Sequence, residues 1–396
     1  MVEPLSKAFD NNVWFWKIFA VWIQEVGNKY YKCYAVIFLI SLYFLYDGLL
    51  VLNLIYTPRH IEIFIPELIF FVTEMAVLFK VHMLLFKSKS IQKAFEMLDC
   101  ETFIGDTEHQ IETNKRFKSL YKKYFLIYFW VCQICYVSIV LIPLFIYFIN
   151  GNELHLPICN YYFLSEENRD NNILSWFSYQ AIADYVHMTY NYTVDTFISG
   201  LIMMGLAQFK ALNVKLAMIK SSMDKNDLPE SKLDAKMHQD LIKCIKHYAL
   251  LREYCQIIEN IFGTSMFFQF GVGVLSNCIT LYAFLLPYFE SQLIFLTTYA
   301  SAMTMEIFLP GYLGTLLNYE SAEIGRAVYQ CDWIERSDSF KRSMRLLVER
   351  SKTPIELTAL KIFPLSVTTF IAIMKTAYSS FTLLRVVHNR ESSDYN

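Results

Sequence analysis

Over 396 residues the chain is 55% hydrophobic and 18% charged, with a mean hydropathy of +0.31, too apolar for a water-soluble fold of this length. A formal net charge of −2 points to no nucleic-acid partner, since the basic residues follow the membrane topology set out below. The nine cysteines lie mostly in apolar stretches and predict no disulfide framework.

The first element is aromatic. Trp14–Trp22 is short, carries Lys17 and is followed by no small-residue cleavage site. It therefore predicts an interfacial amphipathic helix feeding the first span, not a signal peptide. Six stretches then each supply the roughly 20 apolar residues a bilayer helix needs: Tyr34–Leu54, Ile63–Phe86, Tyr124–Ile149, Trp176–Leu206, Ile261–Tyr288 and Leu293–Leu317. A seventh, Ile362–Val387, is interrupted by Lys375 and Arg385. The fourth has the weakest signal, because Asp184, His187 and Asp195 fall inside it. Between spans, Ile91, Ala94, Phe95 and Leu98 make one helical stripe within Ile91–Cys100, and Leu241, Cys244, Ile245, Tyr248 and Leu251 make another within Asp240–Gln256. Ser337 or Asp338 caps a further helix to about Glu349, burying Phe340, Met344, Leu347 and Val348, before Pro354 breaks it. The fold class expected is all-α: a single seven-helix membrane domain over residues 1–396, with cytoplasmic helices at about 210–256 and 326–361 that pack under their own bundle or against another subunit.

Sidedness is written in the cations. Of 35 Lys and Arg residues, 29 lie in the segment before Tyr34 and in the Lys87–Lys123, Lys210–Arg252 and Arg326–Lys361 connections. Short loops rich in Lys and Arg stay in the cytoplasm. The N-terminus is therefore expected inside and, after seven crossings, the C-terminus outside. That is the reverse of a G-protein-coupled receptor, and neither Asp-Arg-Tyr after the third span nor Asn-Pro-x-x-Tyr in the seventh is present. A transporter is disfavoured as well, since neither an internal repeat nor a pair of broken spans appears.

No enzyme motif is present: the chain holds no HExxH, GxSxG or phosphate loop, and no cofactor or metal is expected. Cys132 and Cys135 are separated by two residues but sit in mid-span, as small core residues do. The sequon Asn191-Tyr192-Thr193 lies inside the fourth span, out of reach of glycosylation. Ionisable residues inside spans are costly and often functional; they are Asp47, Glu74, Lys80, Asp184, His187, Asp195, Glu306, Lys375 and Arg385. Pairing or snorkelling accounts for most. His187, amid Tyr185, Met188, Tyr190 and Asn191, reads either as a satisfied interhelical histidine or as part of an aromatic-lined pocket.

The last third of the chain carries a specific pattern. It runs from Glu320-Ser321-Ala322-Glu323 through Ala327-Val328-Tyr329-Gln330-Cys331-Asp332-Trp333 and Phe340-Lys341-Arg342. It continues with Pro354-Ile355-Glu356-Leu357-Thr358-Ala359, Phe363-Pro364-Leu365-Ser366 and Ala377-Tyr378-Ser379-Ser380-Phe381-Thr382-Leu383-Leu384. In this order and spacing the chain resembles insect odorant receptors. The related gustatory receptors, which end in Thr-Tyr…Gln-Phe, fit less well. The resemblance implies an odorant-tuning subunit of a heteromeric, ligand-gated, non-selective cation channel. It would assemble, as a tetramer, with the shared co-receptor among the lipids of the plasma membrane of an olfactory neuron dendrite. The co-receptor's long insertion after the fourth span is missing. A small volatile would bind in the outer half of the bundle, between the second, third, fourth and sixth spans. The inferred topology places Phe70, Phe71, Met75, Tyr136, Ser138, Leu141, His187, Met188, Asn191, Tyr299 and Met303 at that depth. The resemblance puts the gate at Phe381, Leu384 and Arg385, where the co-receptor has Gln in place of Arg385. It puts the subunit anchor at Phe340, Leu347, Pro354 and Phe363.

Overall fold

The computed structural model describes residues 3–22, 29–151, 154–219, 230–286 and 290–394. It is helical almost throughout, with seven helices long and apolar enough to cross a membrane: Lys29–Tyr56, Ile63–Phe86, Glu108–Asn150, Ile173–Ala217, Lys232–Ala283, Gln292–Tyr329 and Val367–Val386. Several overrun the apolar stretches that announce them. The fifth belongs to a helix of 54 residues, Glu230–Ala283, about 80 Å long at 1.5 Å per residue and far longer than a bilayer core of roughly 30 Å. The Asp240–Gln256 stripe is thus the basic end of a span, continuous with it. The last helix starts later than expected, at Val367, because residues 358–364 form a hairpin.

Burial explains the hydropathy of each span. In the fourth, 83% of the most apolar stretch is buried, against 11% in the last. The fourth helix packs against the second, third, fifth and sixth. A helix enclosed by protein can carry Asp184, His187 and Asp195, since helix neighbours and not lipid surround them. That is why its signal is the weakest although it forms the axis of the bundle. The first and third spans each contain a π-helical turn, Ile40–Phe44 and Val137–Leu141, which shifts the facing of the residues beyond it.

The amino-terminal helix, Asp10–Ile18, corrects the expectation of an interfacial element. Phe9, Trp16 and Trp22 are fully buried. Asn12 Nδ2 donates to the Thr193 carbonyl at 2.8 Å and to Thr196 Oγ1 at 3.0 Å, the Tyr121 hydroxyl donates to Asn12 Oδ1 at 2.7 Å, and Trp16 Nε1 donates to Thr193 Oγ1 at 3.0 Å. Gly200 permits this docking: a Cβ there would lie 2.5 Å from the Tyr121 ring and 2.6 Å from that of Phe9. Only Trp14 of the three tryptophans faces outward.

At the basic end, Ser88–Leu98 and Asp338–Ser351 are helices. The second is capped by Ser337, whose Oγ accepts from Phe340 N. Thr358–Ala359 pairs antiparallel with Phe363–Pro364, so the Leu-Thr-Ala and Phe-Pro-Leu-Ser elements are the two arms of one hairpin. Its turn holds Leu360 and Lys361 at φ of 51° and 58°. Glu259 of the fifth helix accepts from both the amide and the hydroxyl of Thr358. Gly314 of the sixth lets the hairpin close in, since a Cβ there would meet the Leu365 carbonyl oxygen at 2.2 Å.

Candidate functional site

In the half of the bundle away from the basic end, four helices enclose a cavity of ≈ 80 Å³. The second span contributes Phe70, Thr73, Glu74 and Val77; the third, Tyr128, Cys132, Cys135, Tyr136 and Ile139; the fourth, Asp184, His187, Met188 and Asn191; the sixth, Phe295, Tyr299, Ala302 and Met303. Each set recurs at three or four residues, one face of one helix. Phe70 stacks on Phe295 and Phe295 on Tyr299, both at 5.6 Å between centroids. The Thr73 and Tyr299 hydroxyls lie 2.6 Å apart. Most of the wall is thus aromatic or thioether surface.

Its polar part is acidic. His187 Nε2 faces the Leu42 carbonyl at 2.9 Å. A carbonyl only accepts, so this nitrogen carries a proton. Nδ1 faces Glu74 Oε2 at 2.5 Å, with Asp47 Oδ1 at 3.9 Å. Asp47, Glu74 and His187 present ligand-type atoms within 4.8 Å of one another. Nevertheless, two ligands on one tetrahedral zinc at about 2.0–2.2 Å would stand roughly 3.3 Å apart. The 2.5 Å contact is that of a proton-mediated pair. Asp184 borders the same cavity, and among the described residues it has neither a hydrogen bond nor an ion pair.

Below, toward the basic end, lies a second polar group. Lys80, fully buried, reaches Asp195 at 2.8 Å, Glu306, and Asn191 Oδ1 at 2.5 Å. Gln269 Nε2 donates to Asp195 at 3.4 Å and to the Glu306 carbonyl at 3.2 Å. Four spans are tied together here, and Asn191 belongs to both this group and the cavity wall.

At the far end, the loop between the third and fourth spans is held without a disulfide. Glu67 accepts from Asn53 Nδ2 and from the amide and side chain of Asn160. Gln180 bonds Ile158 N and the Cys159 carbonyl. Cys159 is buried and unbridged, and burial pushes its thiol well above the usual range.

Of the pocket residues expected from sequence, Phe70, Tyr136, His187, Met188, Asn191, Tyr299 and Met303 line the cavity. Phe71 packs against the apolar cluster that includes Phe295, Tyr299 and Met303 without lining the cavity, and Met75 is not among the lining residues. Ser138 is buried in the π turn with Oγ on the Cys135 carbonyl, and Leu141 is exposed at 45%. The lining also includes Thr73, Val77, Tyr128, Cys132, Cys135, Ile139, Phe295 and Ala302, which were not expected there, and Glu74 and Asp184, which stand out in the sequence only as ionisable residues inside spans. A signal for most of them was present: steps of three, four and seven from Phe70 reach Thr73, Glu74 and Val77, and steps back from Tyr136 reach Cys132 and Tyr128.

Of the anchor positions, Phe340 and Leu347 are buried within this chain, where they fasten the Asp338–Ser351 helix to its own bundle. Pro354 and Phe363 are exposed, as are Ile334 and Leu346. In the last span Leu384 and Arg385 face outward, while Phe381 packs partly against its own chain.

The arrangement has counterparts. The structure of the insect olfactory receptor OR5 from Machilis hrabei in complex with eugenol superposes with a TM-score of 0.83, covering 97% of this chain and 98% of that one at 14% identity. That receptor's structure described without a ligand superposes at 0.80. Odorant receptor 2a of Drosophila melanogaster is 26% identical over 52% of this chain and 53% of its own, and odorant receptor 67a is 27% identical over 65% and 63%. The chain spans about half the length of the first of these relatives. A family model described as 7tm Odorant receptor matches residues 60–378. With that match across the spans that build the cavity, and the same seven-helix fold, the chain belongs to the 7tm odorant receptor family.

Proposed function

We propose that this chain is the odorant-binding subunit of a heteromeric, ligand-gated, non-selective cation channel, and that the enclosed aromatic cavity is where a small volatile binds. The cavity carries this reading. It is buried, mostly apolar and bounded by a few fixed polar groups, as small-molecule sites are, and apolar burial there is worth about 25 cal/mol per Å². Met188 and Met303 give its wall the flexibility to fit more than one shape.

The channel complex forms with the shared co-receptor as a tetramer, in the plasma membrane of an olfactory neuron dendrite. The N-terminus is cytoplasmic and the C-terminus extracellular, in line with the sorting of Lys and Arg. The last span, the least buried of the seven, faces other subunits and the pore, with Leu384 and Arg385 on its free side and Phe381 bracing it against the cavity-forming helices. A hydrophobic ring closes such a pore by dewetting. Subunit contacts at the basic end use the exposed Pro354, Phe363, Ile334 and Leu346. Co-expression with the co-receptor, followed by patch-clamp recording during odorant pulses, tests this. Cation current within milliseconds and without added nucleotide is expected. Current that requires nucleotide, or none to any odorant when both subunits reach the surface, would overturn it.

A further inference from the structure

Resting on the reading above, we infer that the cavity is built for a small aliphatic amine, bound as its ammonium between Asp184 and the aromatic wall. The first ground is the balance of charge. Facing the cavity or the polar group beneath it are five carboxylates: Asp47 of the first span, Glu74 of the second, Asp184 and Asp195 of the fourth, and Glu306 of the sixth. They meet two basic groups, Lys80 and His187. The third span brings no charge to the cavity, and the fifth brings only Gln269 to the group below it.

The second ground is how those groups pair. Lys80 is spent on Asp195 and Glu306, and His187 on Glu74 with Asp47 behind it. Asp184 is left facing the cavity without a hydrogen bond or ion pair among the described residues. An unpaired carboxylate in a low-dielectric interior is costly and takes up a proton when nothing else offsets its charge; an ammonium bound beside it offsets that charge and holds it ionised.

The third ground is the wall around it. Tyr136 and Tyr128 of the third span and Phe295 and Tyr299 of the sixth line the same space. Carboxylate and aromatic faces together are how proteins hold ammonium groups. The volume, ≈ 80 Å³, is below the roughly 150 Å³ of a cavity that binds benzene, so the alkyl part is short. Such an amine is cationic at neutral pH, as lysine is with its value of about 10.4.

The test uses three molecules sharing one carbon skeleton: isobutylamine, isobutanol and isobutyraldehyde. They are applied to cells co-expressing this chain and the co-receptor, beside a broad panel of esters, ketones and terpenes. Isobutylamine is expected to reach half-maximal current at a concentration about tenfold or more below the other two, about 1.4 kcal/mol. Asp184→Asn should abolish that advantage while Asp184→Glu retains part of it, with surface labelling confirming that each variant reaches the membrane. The inference is overturned if the alcohol or aldehyde matches the amine in the unsubstituted protein, a ranking that needs no variant to fold. It is equally overturned if Asp184→Asn shifts all three alike. Responses to panel odorants with silence to amines would remove the inference and leave the odorant-binding reading intact; silence to everything at normal surface levels would remove both.

Discussion

Replacing Lys80 by Met removes the one ammonium that Asp195, Glu306 and Asn191 share. Methionine keeps most of the aliphatic volume, so little of the effect arises from a void. What remains is two carboxylates of the fourth and sixth spans facing each other with only weak amide contacts, Gln269 Nε2 to Asp195 and Asn191 Nδ2 to Glu306, each at 3.4 Å. Breaking a fully buried pair in this way costs about 3–5 kcal/mol. The free thiols make the measurement direct. Cys132, Cys255 and Cys278 are buried and unbridged, so a thiol-reactive fluorophore labels them in detergent solution only as the bundle opens on heating. Lys80→Met should open at a clearly lower temperature than the unsubstituted protein. Adding Glu306→Gln should recover part of the loss, with a coupling of about 0.5–3 kcal/mol. A loss below about 1 kcal/mol, within the range of exposed pairs, or strictly additive effects of the two substitutions, would refute the reasoning that this group clamps four spans.

Four further outcomes are expected. Tyr299→Ala should raise the half-maximal odorant concentration by about tenfold or more, roughly 1.4 kcal/mol, in dose–response recordings; unchanged sensitivity would move the pocket elsewhere. Phe340→Asp should lower the yield of folded receptor expressed without the co-receptor, because that side chain is buried in its own chain; normal solo yield with lost co-purification would restore it as an intersubunit contact. Leu384→Ala should raise ligand-free current, read as basal conductance against the unsubstituted channel. An epitope appended after Asn396 should stain intact cells, and staining only after permeabilisation would reverse the topology.

Much of this architecture is legible in one dimension. Span number follows from apolar length. The Ser337 cap and the Pro354 break are local chemistry, and the structure places the helix between them at Asp338–Ser351. The choice of four spans as the pocket's walls came with the family resemblance, and depth along each of them is a matter of counting from an end. Rotation about each helix axis is different. Phe70 and Phe71 are neighbours of equal hydrophobicity and pack against one apolar cluster, yet only Phe70 lines the cavity, because adjacent residues point about 100° apart and only the partner helices set the zero of that angle. Leu141 ends a π turn that no hydrophobic period announces.

By itself, then, the sequence determined what depends on composition and order: a seven-span protein, its charge sorting, its caps and breaks, and the motif spacing of its last third. Tertiary structure alone decided what depends on partners distant in the chain. It turned the tryptophan-rich amino terminus inward onto Thr193 and Thr196, where burying a large side chain such as Phe9 stabilises the fold by about 1.5–3 kcal/mol. It spent Phe340 and Leu347 on the chain's own core. It gathered Lys80, Asp195 and Glu306, separated by 115 and 226 residues from the lysine, into one buried group, paired Glu74 with His187, and placed Asp184 beside Glu74 in the cavity lining. The physical reason is common to all of these: pairing and burial are energies between residues that local pattern does not bring together.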